Sequence, residues 1–247
     1  MFSTGYPAKP HEFLLRRLHS LAGLIPVGAF LLVHLGSNAM VAFNSDEQDY
    51  YQQQVERIHA LGPLLTTVEI VFIFIPLGFH AALGVKMWLQ GQPNASSYPF
   101  WGNFRYTLQR ITGMIALVFI LFHLYHMHWL GSYFPGPGAQ FDPHRATATT
   151  AWALQNDVYR LWAPPFYLLG ILCSVFHFAN GIWTGLITWG ITVGRSAQRK
   201  AGYACAVFGI ALALVGGAAL NGFMRYPHPE PPVEEYKPPG AQDGQAS

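Results

Sequence analysis

Leu18–Phe43 reads LHSLAGLIPVGAFLLVHLGSNAMVAF, and no charged residue stands between Arg17 and Asp46. A helix needs about 20 predominantly apolar residues to cross the roughly 30 Å core of a bilayer. Similar gaps run from Arg110 to Asp142, from Arg160 to Arg195 and from Lys200 to Arg225. Between Arg57 and Lys86 the single charge is Glu69. The pattern predicts an all-α integral membrane bundle of five transmembrane helices, near Leu18–Phe43, Leu64–Leu89, Ile111–Leu130, Pro164–Ile191 and Ala201–Met224. Composition agrees: 11% of the chain is charged, against about a quarter in a soluble domain. Residues 1–225 read as one membrane domain, and 226–247 as a Pro- and Glu-rich tail.

The distribution of charge sets an expected orientation. With the N-terminus cytoplasmic, the inner ends of the spans hold Lys9, Arg16, Arg17, Lys86, Arg105, Arg110, Arg195, Arg199 and Lys200. The outer ends hold Arg57, Arg145, Arg160, Arg225 and Lys237, together with nearly all the acids. Lys/Arg bias favours the cytoplasmic side, so the expectation is N-terminus in and C-terminus out. The first apolar run starts late, is too long for a cleaved signal peptide and lacks a cleavage site, so the first span reads as its own targeting signal.

The loops divide simply. A short interfacial helix is expected around Tyr50–Ala60. Gly91–Gln109 is an inner connection. Gly131–Asp157 is a long outer loop opening on Pro135-Gly136-Pro137-Gly138, and Thr192–Arg199 a brief inner loop. The two cysteines, Cys173 and Cys205, lie within spans, and no CxxC or CxxCH occurs. That argues against an iron–sulfur cluster, a structural zinc or covalently attached haem in this chain. Nothing points to nucleic acid.

Four histidines, His34, His80, His123 and His177, sit in four different spans. An ionisable ring at that depth is a functional candidate by default. His34 lies seventeen residues beyond Arg17 and His123 thirteen beyond Arg110, which at about 1.5 Å per residue puts both in the outer half. His80 and His177 each lie seventeen residues past an outer marker, Pro63 and Arg160, and so fall in the inner half. Two depth-matched pairs suit two b haems, each iron taking two axial imidazoles: His34 with His123 outside, His80 with His177 inside. A lone membrane histidine is often merely hydrogen-bonded to a neighbouring helix; four in two matched pairs are harder to explain that way. His126, three residues on, competes with His123. His128 reads as solvated at the outer interface, and His11, His59, His144 and His228 as surface residues.

Glycines accompany the histidines. Phe79-His80 precedes Gly84, and Phe176-His177 precedes Gly181. Both glycines lie on the ligand's own helical face, where a porphyrin edge could approach the backbone. Gly23 and Gly113 sit close to the faces of His34 and His123 and would make room for the inner haem. A weak internal repeat aligns Arg17-Leu18-His19-Ser20 with Arg110-Ile111-Thr112-Gly113. The fifth span carries no histidine and is expected to pack outside.

Glu69 is the acid within a span. It lies eleven residues, three α-helical turns, before His80, so it should share that histidine's face and exchange protons with a quinone near the outer surface. The alternative is a structural partner for Arg57, Arg160 or a loop. Arg17, His19, Ser20, Arg110 and Thr112 form a polar group at the inner surface that could contact haem propionates or a quinone. Positive-inside anchoring is the competing reading, and the better one for Arg16. Lys86 reads as snorkelling to the interface.

At these residues the chain resembles the five-helix, two-haem cytochrome b subunits of succinate:menaquinone oxidoreductases and related fumarate reductases. The stretches are Arg17–His34 (RLHSLAGLIPVGAFLLVH), Phe74–Gly84 (FIPLGFHAALG), Gln109–His123 (QRITGMIALVFILFH) and Phe176–Thr192 (FHFANGIWTGLITWGIT). The resemblance implies the ligands His34, His80, His123 and His177, and favours His123 over His126. It implies a flavoprotein subunit and an iron–sulfur subunit on the cytoplasmic face, and transfer of electrons through two haem b groups to a membrane quinone, menaquinone in the first instance. The competing readings are a di-haem anchor of a hydrogenase or formate dehydrogenase, and a haem-free transporter with a histidine proton relay.

Overall fold

The structure, a computed structural model, describes residues 10–91, 97, 99–128 and 141–232. Every regular element among them is helical. Five segments are long and apolar enough to cross a membrane: His11–Phe43, Pro63–Gln90, Trp101–Met127, Ala163–Thr188 and Arg195–Arg225. The expected spans are all present, with shifted ends. The third begins at Trp101 rather than Ile111 and the fifth at Arg195 rather than Ala201. Arg105, Arg110, Arg199 and Lys200 therefore ride on helices, where long stems can carry charge toward water. The expected connections Gly91–Gln109 and Thr192–Arg199 are correspondingly shorter. Pro135-Gly136-Pro137-Gly138 and the tail from residue 233 lie outside the described residues.

Prolines shape the first two spans. The first is α1 (Pro10–Leu24) followed by α2 (Pro26–Ala39) and a 3-10 turn (Met40–Phe43). Pro26 has no N–H to donate, yet the axis continues through Ile25 N–H to Leu21 O (3.0 Å) and Ala29 N–H to Ile25 O (2.9 Å). The second span is α4 (Pro63–Val68), a π-helical stretch (Glu69–Phe74) and α5 (Ile75–Gln90). Pro76 would press its ring on the Phe72 carbonyl of a regular helix; the wider π turn immediately before it relieves that contact. The third, fourth and fifth spans are α6 (Trp101–Met127), α8 (Ala163–Thr188) and α9 (Arg195–Arg225).

The third span packs on the fourth, the fourth on the fifth, the fifth on the first and the first on the second. No residue of α5 is buried, because a large space separates the second span from the third. One end of the bundle carries Arg16, Arg17, Lys86, Arg110 and Arg195. The other is closed by two short helices, α3 (Tyr50–His59) and α7 (Ala146–Gln155).

This cap corrects the reading of Gly131–Asp157 as a long loop. Within it α7 is almost wholly buried, with Ala146 at 0%, Thr149 at 1% and Leu154 at 2% exposure. Asp49 organises the cap: its carboxylate accepts from Gln52 N–H (3.0 Å), Asn44 Nδ2 (2.7 Å) and Thr147 Oγ1 (2.8 Å). Such an N-cap contributes roughly 1 kcal/mol, and here it ties both cap helices together. Gln52 adds a second tie, accepting from Ala146 N–H (2.7 Å) and donating to Pro143 O (2.8 Å). The start of the tail is fastened to α7 by Arg145–Glu230 (3.1 Å) and by Glu230 N–H to Ala148 O (3.3 Å).

Candidate functional site

The four intramembrane histidines line one cavity of about 1250 Å³ that runs between the spans from the basic end to the cap. Single small-molecule pockets are typically about 300–1,000 Å³, so there is room here for more than one such group. His80 and His177 face each other with ring centroids 6.0 Å apart and planes at 87°. His34 and His123 do the same at 5.6 Å and 74°. The rings meet in the two pairs that depth had suggested.

Each pair is held by what lies behind it. His80 Nδ1–H donates to the His19 carbonyl (2.9 Å), and His177 Nδ1–H to the Gln109 carbonyl (2.9 Å). His123 Nδ1 lies 3.3 Å from the Tyr167 hydroxyl. A histidine whose Nδ1–H is engaged in this way keeps its Nε2 lone pair for a metal. Two nitrogens each about 2 Å from one metal ion would put their ring centroids roughly 6 Å apart, close to both observed spacings. Among the described residues no group of three His, Cys, Asp or Glu side chains is placed to hold a metal ion by itself. A pair of imidazoles would fit a group that brings its own remaining ligands, as a porphyrin does.

The glycines divide by role. A Cβ at Gly23 would come within 2.6 Å of His80 Nδ1, and one at Gly113 within 2.7 Å of His177 Cε1. At these two positions the absence of a side chain makes room for the imidazoles of His80 and His177. At Gly84 and Gly181 a Cβ would meet only ordinary contacts, His19 Cε1 at 3.5 Å and Gln109 Nε2 at 3.7 Å, and both positions face the cavity.

This geometry resets the internal repeat. His19 O serves His80 as Gln109 O serves His177, and Gly23 and Gly113 each lie four residues further on. The equivalent of His19 is Gln109. Thr112 is accordingly not brought to the cavity: it is buried, and its hydroxyl donates to Leu108 O (2.7 Å) on its own helix. Gln109 and Asn180, which sequence reasoning passed over, bind the third span to the fourth. Asn180 Nδ2 donates to Gln109 Oε1 (2.7 Å), Gln109 Nε2 to His177 O (3.0 Å) and Arg105 Nε to Asn180 Oδ1 (2.8 Å). Their polarity inside an apolar span was the available signal.

Arg17, His19, Ser20 and Arg110 all border the cavity at the basic end. The His19 ring stacks on His80 at 4.0 Å with planes 8° apart. Arg17 lies over Phe13 (4.9 Å) and Trp189 (5.0 Å). Arg110 donates to the Met87 carbonyl (3.3 Å), to that of Trp88 and to Tyr106 Oη (2.6 Å), clamping the third span to the end of the second.

At the capped end Glu69, His59 and His128 also border the cavity. The three-turn phase between Glu69 and His80 assumed an unbroken α-helix, which the π stretch interrupts; the shared lining stands on its own. Glu69 pairs with His128, 3.8 Å from Oε1 to Nε2, rather than with Arg57 or Arg160. His128 is thus no freely solvated ring. Burial lowers its pKa against the opposing pull of Glu69. His126 is fully buried and off the cavity, between Phe122 (4.9 Å) and Tyr159 (4.3 Å). The fifth span reaches the cavity near the cap through Gly216, Ala219, Leu220 and Phe223, so it is not wholly peripheral.

Comparison with known proteins bears on this arrangement. No family model matches the chain. It is 34% identical over 213 residues, 86% of its own length and 98% of the relative's, to the succinate dehydrogenase cytochrome b558 subunit of Bacillus subtilis (strain 168).

Proposed function

The chain belongs to the family of succinate dehydrogenase cytochrome b membrane subunits, and on that premise we propose that it passes electrons from an iron–sulfur partner through two b haems to a membrane quinone, menaquinone in the first instance. As a family member it is a multi-pass protein of the bacterial cytoplasmic membrane. The succinate-oxidising chemistry belongs to a flavoprotein partner, and both partners dock at the basic end, which faces the cytoplasm.

The observation that carries the reading is the double pairing of imidazoles along one cavity, at 6.0 Å and 5.6 Å. Haem iron bound between such rings supplies one-electron transfer. The chain's own residues do the rest. His80 and His177 would hold the haem near the partners, with the carbonyls of His19 and Gln109 fixing their tautomer. His34 and His123 would hold the haem near the cap. Arg17, His19 and Ser20 offer donors to propionates or to a quinone oxygen at the basic end. Glu69, beside His128, exchanges the protons that quinone reduction requires at the capped end.

The test is to purify the chain with whatever accompanies it and add succinate. The proposal expects co-purifying flavoprotein and iron–sulfur subunits and a b-type spectrum that succinate reduces. A hydrogenase or formate dehydrogenase partner, reduced by hydrogen or formate instead, would overturn it. A purified chain without haem would favour a histidine proton relay.

A further inference from the structure

The Tyr167 hydroxyl lies between two histidines of one helix, 3.3 Å from His123 Nδ1 and 3.0 Å from His126 Nδ1. A phenol has one hydrogen to give and oxygen lone pairs to receive. It can donate to one of these rings and accept from the other. His123 borders the cavity with its ring 5.6 Å from that of His34; as a ligand through Nε2 it would carry its hydrogen on Nδ1 and donate it to Tyr167. The Tyr167 hydrogen then goes to His126 Nδ1. The bonds run in one direction, His123 to Tyr167 to His126.

His126 ends this chain: with Nδ1 accepting, its own hydrogen sits on Nε2, which is buried with no hydrogen-bond partner among the described residues. It is 0% exposed and held between Phe122 and Tyr159. Bonds in a buried series polarise one another: a phenol donating to His126 is a better acceptor for His123. His80 and His177 rely instead on fixed backbone carbonyls. Tyr167 is a side-chain acceptor whose strength depends on a further residue.

We propose that Tyr167, backed by His126, is a positioning residue for His123 that orients its ring, raises its basicity and lowers the reduction potential of the haem between His34 and His123. The proposal rests on His123 being a ligand. A ligand histidine whose N–H is well accepted donates more strongly to the metal, which favours the oxidised iron. His126 thus gains a role distinct from ligation.

The test is redox titration of both haems in the intact complex carrying Tyr167→Phe, His126→Leu or both. Tyr167→Phe is expected to keep both haems, shift the potential of the capped-end haem upward and leave the basic-end haem unchanged. His126→Leu should give a smaller upward shift at the same haem, and nothing further in the Tyr167→Phe background. Selective loss of the capped-end haem in both single variants would also support positioning. If Tyr167→Phe alone loses that haem, His126→Leu decides: an upward shift supports the proposal and no shift overturns it. An unchanged capped-end potential, equal shifts at both haems, or loss of both haems in Tyr167→Phe overturns it. His123→Ala serves as the control. If that variant keeps the capped-end haem, the ligand assignment has failed rather than the role of Tyr167.

Discussion

His80 and His177 face each other across the cavity with ring centroids 6.0 Å apart and planes nearly perpendicular, at 87°. Each ring is locked by its own carbonyl acceptor, so the angle is a property of the scaffold rather than of free rotors. Perpendicular axial imidazoles leave the two π-bonding iron orbitals almost degenerate. The oxidised protein should therefore show a strongly anisotropic low-spin EPR signal with a large leading g value from this centre. A rhombic spectrum of the kind given by parallel imidazoles would show that the rings turn on binding.

Gly23 and Gly113 should be the least replaceable small residues. A Cβ there would collide with the imidazoles of His80 and His177, and overpacking of this kind costs about 1–3 kcal/mol. Gly23→Ala and Gly113→Ala should each deplete the basic-end haem in a reduced-minus-oxidised spectrum and spare the other. Gly84→Ala, whose Cβ would lie 3.5 Å from His19, should retain both. Equal loss in all three variants would contradict this division.

The two halves of the site were not equally legible in the sequence. Charge gaps reveal the spans because lipid excludes unpaired charge, and rise per residue pairs the histidines because helices are regular. Matching arginines, Arg17 and Arg110, suggest a repeat register that the geometry does not keep. Geometry instead matches backbone carbonyls, His19 with Gln109, which carry no side-chain signature. The cap helix α7 escaped because ATATTAWALQ has little large-apolar periodicity; its small residues are what allow such close burial. The π stretch before Pro76 is likewise a backbone response that composition does not announce.

Glu69→Gln retains shape but cannot carry a proton. Dye-linked succinate oxidation and haem content should survive, since the dye takes electrons before the quinone. Quinone-linked turnover should fall by roughly 10²-fold or more, the usual scale for an acid–base group. Full quinone turnover in this variant would leave Glu69 as a structural partner of His128.

Orientation can be read by labelling single cysteines in intact cells. Asp157 at the capped end and Val193 at the basic end are both exposed. Impermeant reagent added outside should reach Asp157→Cys and not Val193→Cys. Positions in α7 are poor reporters because they are buried. The reverse pattern would put the basic end outside, against the Lys/Arg bias.

The most direct test of the central claim is the haem spectrum of paired ligand variants. His34→Ala and His123→Ala should each remove one spectral component, and His80→Ala and His177→Ala the other. Each removes one of two strong-field ligands from a shared iron, so the double variant within a pair should match either single variant. Resolved redox titration of the assembled complex, one variant at a time, gives the answer. Loss of the same component in His34→Ala and His80→Ala, or a full complement of both haems in His123→Ala, would contradict the account.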